Sequence, residues 1–331
     1  MSYQLQTDVY NDDVKLEPIR AGFGRGLKAA GAANDKIVAL CADLTESTQM
    51  HLFRDEFPSR FVEVGIAEQN LAAVASGLAR AGKIPFASSY AAFSPGRNWE
   101  QIKTTIAINN QPVKIIGSHA GVSVGPDGAT HQMLEDIALM RVMPNMVVIA
   151  PGDSIEAEKA TLAIAENGKP SYLRLAREKS PIFSTEDSPF EIGKAYILRD
   201  GYDVSLLGTG AMSYQLLKAA HLLESLGINA EVVHVPTIKP LDEATILASV
   251  KRCGRVITAE EAQVKGGFGG AIAELLSEKI PTPLKRIGMQ DRYGESGEPN
   301  ELLDYFGLNA EKMVDQISEF VHNTPKYHQE N

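Results

Sequence analysis

The chain has 331 residues, of which 44% are hydrophobic and 22% charged, a composition typical of a folded protein with more than one domain. Its 32 Lys and Arg against 42 Asp and Glu give a formal net charge of −10, which argues against general nucleic-acid binding because phosphate neutralisation needs clustered cations. The acidic N-terminal residues predict no signal peptide, and no apolar run approaches the ~20 residues of a membrane span, so we expect a cytoplasmic protein without a membrane partner.

Strand-like and helix-like segments alternate along the first 177 residues. Apolar runs predict buried strands at 36–44, 61–65, 84–90, 113–119, 145–151 and 171–177. Helical spacing predicts helices at 67–83, 98–110, 133–143 and 154–168, the last with Ser154 as its N-cap and Gly168 at its end. Such alternation is typical of βαβ units around a mostly parallel sheet.

A segment rich in proline, serine and acids, 178–193, predicts a linker between two domains. The alternation then resumes with a strand at 203–210 and a helix at 211–227. Further segments of the same kind follow at 230–238, 244–253, 255–261, 269–279 and 284–289. We therefore predict an α/β fold of two doubly wound domains with mostly parallel sheets, covering residues 1–185 and 186–331. The remote cysteines, Cys41 and Cys253, predict buried thiols and no disulfide framework.

Side chains that can take part in ligand binding or catalysis follow several of the predicted strands. In an open parallel sheet, ligands bind beyond the carboxyl ends of the strands. The residues at those ends are Asp43, Thr45, Ser47, Glu68, Tyr90, Phe93, His119, Arg174 and Arg177. We interpret them as a candidate site, although an acid such as Glu68 at a helix start is also favoured by the helix dipole alone. Arg174, on the strand face of Tyr172, favours a structural or interface role.

The loop 118–132 is the most informative segment. Its glycines Gly121, Gly125 and Gly128 allow close backbone approach to a ligand. It also carries His119, Asp127 and His131, which can donate, accept and shuttle protons. The two histidines lie too far apart for a metal motif, so contacts with hydroxyls or phosphate are the better interpretation.

Several motifs together resemble one family. The segment GPDGATHQ (125–132) resembles the Gly-x-Asp-Gly-x-Thr-His-Gln signature of transketolases, and four further segments fall in the family's order and spacing: ADLTES (42–47), GIAEQN (65–70), YAAF (90–93) and LRLAR (173–177). The resemblance covers roughly residues 17–300. It matches the pyrimidine-binding and C-terminal domains of transketolases and of 1-deoxyxylulose-5-phosphate synthases, and it is similar to beta subunits of the 2-oxo acid dehydrogenases. It implies thiamine diphosphate as cofactor.

The resemblance implies a set of cofactor contacts. Glu68 matches the glutamate that hydrogen-bonds the aminopyrimidine ring and exchanges a proton with it. Phe93 matches the aromatic residue that stacks on this ring, with Tyr90 beside it, and Asp43 matches an acid near the thiazolium.

The same resemblance implies a substrate site. His119, Asp127 and His131 match residues that hold sugar hydroxyls and phosphate, and the two histidines join Glu68 as the candidate catalytic residues. Arg20, Ser47 and Arg177 match ligands of the substrate phosphate in the family.

One family element is missing from the sequence. The diphosphate half of the family's site carries Gly-Asp-Gly and a downstream asparagine, which hold Mg²⁺, and Gly-Asp-Gly is absent here. We therefore expect no metal site in this chain and a partner subunit that supplies Mg²⁺ and the diphosphate site. The implied protein is the small subunit of a split transketolase of the pentose phosphate pathway, transferring two-carbon ketol units between sugar phosphates, with self-association into a heterotetramer by analogy.

Two other functions stay open. The segments PTIKPLDEA (236–244) and TAEEAQVKGG (258–267) resemble the deoxyxylulose synthases and dehydrogenase beta subunits more closely. One alternative is therefore decarboxylative ligation of pyruvate to glyceraldehyde phosphate, or the role of a 2-oxo acid dehydrogenase beta subunit. A non-catalytic scaffold subunit is the other. The paired acids Glu260 and Glu261 fall in the C-terminal domain, which we interpret as architectural.

Two departures from the family pattern have no assigned meaning. Asn70 stands where relatives often have histidine, and the segment FSPGR (93–97) is one residue longer than in the deoxyxylulose enzymes, which leaves Arg97 without an assigned role.

Overall fold

A computed structural model describes residues 3–11 and 13–327. The strands in this part of the chain are β1 (Leu16–Pro18), β2 (Ile37–Cys41), β3 (Phe61–Glu63), β4 (Ile84–Tyr90), β5 (Lys114–Ser118), β6 (Val147–Ile149), β7 (Ser171–Arg174), β8 (Lys179–Pro181), β9 (Tyr196–Arg199), β10 (Val204–Gly208), β11 (Ala230–His234), β12 (Thr237–Lys239), β13 (Val256–Gln263) and β14 (Leu284–Met289).

The helices separate most of these strands. They are α1 (Ile19–Ala33), α2 (His51–Glu56), α3 (Glu68–Arg80), α4 (Trp99–Gln101), α5 (Asp136–Arg141), α6 (Ser154–Glu166), α7 (Met212–Leu223), α8 (Glu243–Cys253), α9 (Phe268–Lys279), α10 (Pro299–Tyr305) and α11 (Ala310–Asn323). A π-helical segment, Ile102–Ala107, continues directly from α4. No helix among the described residues is both long and apolar enough to cross a bilayer.

Two large sheets organise the fold. The first has seven strands in the order β12-β6-β7-β5-β4-β2-β3, all parallel except β12. The second has five strands in the order β14-β13-β10-β11-β9, all parallel except β9. The predicted α/β fold with two mostly parallel sheets is therefore confirmed.

Both faces of the first sheet are covered by helices. In β2, Val38 and Leu40 join the apolar cluster that contains Leu71 of α3, whereas Ala39 joins the opposite cluster with Phe23 of α1. Alternate residues of a strand point to opposite faces, so a strand buried on both faces must be apolar throughout, as IVALC is. Each large aliphatic side chain buried in this way contributes ~1.5–3 kcal/mol.

Several predicted boundaries are wrong. The N-cap of α6 is Asp153, whose side chain accepts from the Glu156 N–H at 3.0 Å, so Ser154 is the first helical residue and not the cap. The predicted linker contains β8, which pairs antiparallel with β1. The single segment predicted at 230–238 is divided into β11 and β12, and these belong to different sheets.

The division between β11 and β12 has a structural consequence. β12 pairs antiparallel with β6, so a strand from the second half of the chain completes the edge of the first sheet. The two halves are therefore joined through backbone hydrogen bonds as well as through side-chain packing.

Candidate functional site

The candidate residues converge because their strands are neighbours. Strands β7, β5, β4, β2 and β3 are consecutive and parallel in the first sheet, so their carboxyl ends lie along one edge. The residues brought to this edge are Arg177 after β7, His119 after β5, Tyr90 and Phe93 at and after β4, Asp43 and Ser47 after β2, and Glu68 after β3. Such an edge is where open α/β sheets bind their ligands.

Glu68 is a buried acid at the start of a helix. It is the first residue of α3 and only 2% exposed. Its Oε2 accepts a hydrogen bond from Arg97 Nη1 at 2.7 Å, and its backbone oxygen accepts one from Asn98 Nδ2 at 2.8 Å. The carboxylate is thus removed from water and paired with a cation, which is an expensive arrangement to maintain at a structural position.

Aromatic rings line the site next to Glu68. The Arg97 guanidinium lies over Phe93, 4.6 Å from the ring centroid. Tyr90 stacks on His119 with centroids 3.8 Å apart, and it lies 6.0 Å from Phe93 with nearly parallel planes. His131 meets Phe93 edge-on at 5.4 Å. The cluster presents flat surfaces suited to a planar heteroaromatic ligand.

His119 is neutral at physiological pH in this environment. Burial, together with the nearby Arg20, Arg177 and His131, lowers its pKa to about 3. Its backbone has φ of 58°, a left-handed conformation that is uncommon for a residue other than glycine. Its Nδ1 lies 2.9 Å from the Ser118 hydroxyl oxygen. His119 can therefore hydrogen-bond substrate oxygens as a neutral imidazole, but it brings no positive charge.

Two arginines supply positive charge at the same edge. Arg20 Nε donates to the Arg177 backbone oxygen at 3.1 Å, and Arg20 Nη1 donates to the Ser47 backbone oxygen. Burial lowers the pKa of Arg20, opposed by Tyr90 and reinforced by the neighbouring Arg177. Arg177 Nε lies 3.4 Å from Glu178 Oε1. Two closely spaced guanidinium groups favour an anionic ligand.

Asp43 and Asp127 lie at the outside of the site. Both are exposed, and Asp43 also has a left-handed backbone with φ of 58°. The loop of Asp43 is tied to the loop after β3 by Glu63, whose carboxylate accepts from the N–H groups of Asp43 at 2.8 Å and Gly65 at 2.9 Å. The Thr45 hydroxyl donates to the same carboxylate at 3.1 Å. Glu63 therefore fixes the spacing between two site loops.

Sequence reasoning missed two residues of this site. Arg97, left without a role, contacts both Glu68 and Phe93, and the missed Glu63 organises the loops around Asp43. Glu63 had a usable signal, since it is an isolated acid at the end of the apolar strand FVE. Arg97 had none beyond its place after Phe93, and Asn70 is exposed with no structural explanation for its departure from histidine.

The site fits one half of the implied cofactor. A buried carboxylate beside stacked aromatic rings is chemically suited to an aminopyrimidine. Across residues 3–11 and 13–327, His, Cys, Asp and Glu form no group of three or more that could hold a metal ion. These residues therefore give no basis for placing Mg²⁺ in this chain.

Comparisons with known proteins identify the domains of this chain. Residues 18–181 match the family model "Transketolase, pyrimidine binding domain", and residues 193–313 match "Transketolase, C-terminal domain". A putative transketolase C-terminal section from Methanocaldococcus jannaschii is 45% identical, covering 91% of this chain and 95% of the relative. A 6-deoxy-6-sulfo-D-fructose transketolase subunit from Clostridium sp. is 42% identical, covering 91% of this chain and 94% of that subunit.

A solved structure gives the same result. The split gene transketolase described as an inactive beta4 tetramer is 42% identical and superimposes with a TM-score of 0.86, covering 92% of this chain and 98% of that one. The chain therefore belongs to the transketolase family. It corresponds to the C-terminal part of a transketolase, with the pyrimidine-binding and C-terminal domains.

Proposed function

We propose that this chain is the small subunit of a split transketolase, which transfers a two-carbon ketol unit between sugar phosphates with thiamine diphosphate. The observation that carries the proposal is the buried Glu68 carboxylate next to Phe93 and Tyr90 at the open edge of the first sheet. The relatives named as a C-terminal section, a subunit and a split-gene product support a divided enzyme.

The chain's own residues would hold the pyrimidine half of the cofactor. When bound, thiamine diphosphate supplies the chemistry that breaks and forms carbon–carbon bonds next to a carbonyl. Glu68 holds or releases a proton at the pyrimidine ring nitrogen, while Phe93 and Tyr90 form the stacking surface. Asp43 would contribute an acid near the thiazolium, as the family resemblance implies. Mg²⁺ and the diphosphate belong to the partner subunit in this proposal.

The remaining residues would bind and orient the substrate. Arg20, Arg177 and Ser47 take the anionic phosphate, because the Arg20 guanidinium donates to the backbone oxygens of Arg177 and Ser47 and so brings the three residues together. His119, neutral through its low pKa, hydrogen-bonds the sugar oxygens, and His131 hydrogen-bonds them and moves protons to and from them during transfer. Asp127 accepts hydrogen bonds from sugar hydroxyls at the exposed end of the loop.

The experiment that tests the division is cofactor binding by the separated and combined subunits. The partner would be the product of a neighbouring gene that encodes Gly-Asp-Gly and a downstream asparagine. We expect tight calorimetric binding of thiamine diphosphate with Mg²⁺ only to the mixture, and a heterotetramer by light scattering. If the purified chain alone binds the cofactor tightly and converts ketose phosphates, the proposal is wrong.

Substrate profiling of the reconstituted pair separates the related activities. We expect activity with xylulose 5-phosphate as ketol donor and none with pyruvate. Preference for pyruvate would instead support a deoxyxylulose synthase-like or dehydrogenase-type subunit. The Clostridium relative is named for a sulfonated sugar, so 6-deoxy-6-sulfofructose should be included as a donor.

The domain boundary at residue 185 stays a prediction. It falls inside the segment after β8, where the chain passes from the first half to the second. Limited proteolysis of the native chain, with the cleavage sites mapped by mass spectrometry, checks whether that segment is the accessible one.

A further inference from the structure

The loop that carries His119, Asp127 and His131 is held in place by the second half of the chain. Its base is closed within the first half, where the Gly121 N–H donates to the Met133 oxygen at 2.9 Å. Beyond that base, the Ser123 N–H donates to Glu261 Oε1 at 2.5 Å, and Gln132 Nε2 donates to the Glu295 oxygen at 2.9 Å.

The three glycines of this loop each face the second half. A Cβ at Gly121 would overlap the Glu261 carboxylate, one at Gly128 would overlap the Ser296 hydroxyl, and one at Gly125 would crowd Pro299. All three also have positive φ, of 93°, 86° and 70° for Gly121, Gly125 and Gly128. Glycine is therefore required here for close approach of the second half as well as for backbone conformation.

Glu261 is itself rigidly placed. It lies in β13 and is 5% exposed. Its backbone oxygen accepts from Arg174 Nη2 at 2.8 Å, and Arg174 Nε pairs with the fully buried Asp136 at 2.8 Å. A carboxylate on a central strand with its backbone fixed by a buried ion pair is a stiff support for a loop.

The loop peptide that Glu261 binds lies next to Arg177, which is proposed to bind the substrate phosphate. Glu261 binds the N–H of Ser123, and the following residue, Val124, accepts from Arg177 Nη1 at 2.5 Å through its oxygen. Movement of this short helical turn, Val122–Val124, would therefore move Arg177 and the loop histidines together.

From these contacts we infer that Glu261 is a positioning residue of the second half, which sets the substrate loop and Arg177 by accepting the Ser123 N–H. The inference gives the C-terminal domain a direct part in substrate binding rather than a purely architectural one. The expected effect of Glu261 on substrate binding rests on the proposed function, whereas its expected effect on the mobility of the loop does not.

The test compares Glu261→Asp with Glu261→Gln. Aspartate keeps the charge but is one methylene too short to reach Ser123, whereas glutamine keeps the reach and an accepting oxygen. We expect Glu261→Asp to speed amide hydrogen exchange in peptides covering 120–132 and to raise KM for the ketose phosphate about tenfold, equal to about 1.4 kcal/mol, with a smaller change in kcat. Glu261→Gln should stay close to the native protein in both measurements.

The matched control changes a carboxylate at another contact between the halves. Glu274→Gln removes another carboxylate that joins the halves, through Arg141 at 2.9 Å, but it does not touch the loop and should change neither readout. If Glu261→Asp leaves loop exchange unchanged, or if Glu261→Gln is the more disruptive variant, the inference is wrong. Altered loop exchange in an assembly without ketol transfer would keep the positioning role and overturn the proposed function.

Discussion

The two halves of the chain use the carboxyl ends of their parallel strands differently. In the first half this edge carries Glu68, Tyr90 and His119 beside side chains that reach the surface, such as Asp43 and Arg97. In the second half, His234 at the end of β11 is completely buried with its Nε2 2.7 Å from Glu156 of α6, and Glu261 near the end of β13 holds the Ser123 N–H. The same architecture therefore provides a ligand site in one half and an interface in the other.

This difference limits what architecture alone can indicate. The general location of ligand sites beyond parallel strands applies only where the edge remains accessible. In the second half, titratable residues at the equivalent place are buried against the first half, so their presence does not indicate a second active site.

The largest effect is expected at Glu68, and it should distinguish this acid from one that only begins a helix. Glu68→Gln should lower ketol transfer by the reconstituted pair by about 10²–10⁴-fold, because glutamine cannot exchange a proton with the cofactor ring. Glu243→Gln changes the exposed first residue of α8 and should leave activity unchanged. Full activity of Glu68→Gln, measured by initial rates at saturating cofactor, would favour the scaffold alternative.

The buried ion pair of Arg174 and Asp136, next to the contact between the halves, should contribute to the free energy of unfolding. Arg174→Met leaves Asp136 as an uncompensated buried charge and should lower the free energy of unfolding by about 3–5 kcal/mol in urea titrations. The double variant Arg174→Met/Asp136→Asn should recover much of this loss. Arg141→Met is the surface comparison, since its partner Glu274 is 63% exposed, and a loss of more than about 1 kcal/mol there would contradict this distinction.

Two buried groups, one in each half, should respond to pH with opposite signs. Between its unfolded pKa of 6.5 and its folded pKa of about 3, His119 binds fewer protons when folded, so its contribution to stability is lost as pH falls through this range. Burial raises the pKa of Glu260 from 4.5 to about 7, although the N–H groups of Gly269 and Phe268 and the charges of Arg174 and Arg286 oppose this. Glu260 binds more protons when folded, so its contribution is lost as pH rises from 4.5 through about 7.

Single variants separate the contributions of His119 and Glu260 to the free energy of unfolding. The difference in unfolding free energy between native protein and His119→Asn should shrink as pH falls from 6.5 towards 3. The corresponding difference for Glu260→Gln should shrink as pH rises from 4.5 towards 7. Parallel slopes for the two variants in denaturant titrations across this range would contradict the assignment.

The smallest expected effect concerns the ion pair inside the site. Arg97→Ala should lower the unfolding free energy by about 1 kcal/mol, because Glu68 stays buried without its cation, although the half-exposed arginine limits the gain from the pair. Thermal unfolding of the chain alone measures this. Arg97→Lys should recover part of the loss, and equal stability of Arg97→Ala and native protein would show that the contact contributes nothing.

Local patterns in the sequence predicted the first sheet well. The strand expected at 84–90 is β4 over the same residues, and the helix expected at 154–168 is α6 with two fewer residues at its end. These segments are buried on definite faces, so their apolar spacing carries the information. The helix α1 was not predicted, because four glycines weaken its helical signal; Gly22 is needed because a Cβ there would overlap the Ser154 carbonyl of α6.

Contacts between distant segments were beyond the sequence. The family motifs located the candidates Glu68, Phe93 and His119, but the pairing of Glu68 with Arg97 depends on how two loops meet across the sheet edge. The Ser123–Glu261 hydrogen bond joins residues 138 positions apart, and no local periodicity records such a contact. Likewise, the apolar run 230–238 gives no sign that β11 and β12 belong to different sheets.

The placement of β12 bears on how the chain can be divided. Residues 18–181 expressed alone would lack Thr237–Lys239, and the hydrogen-bonding groups of β6 would form a bare sheet edge. Unprotected edges recruit strands from other molecules, so such a fragment is expected to aggregate rather than to remain monomeric. A fragment intended to display the first half needs a covering strand supplied in its own sequence.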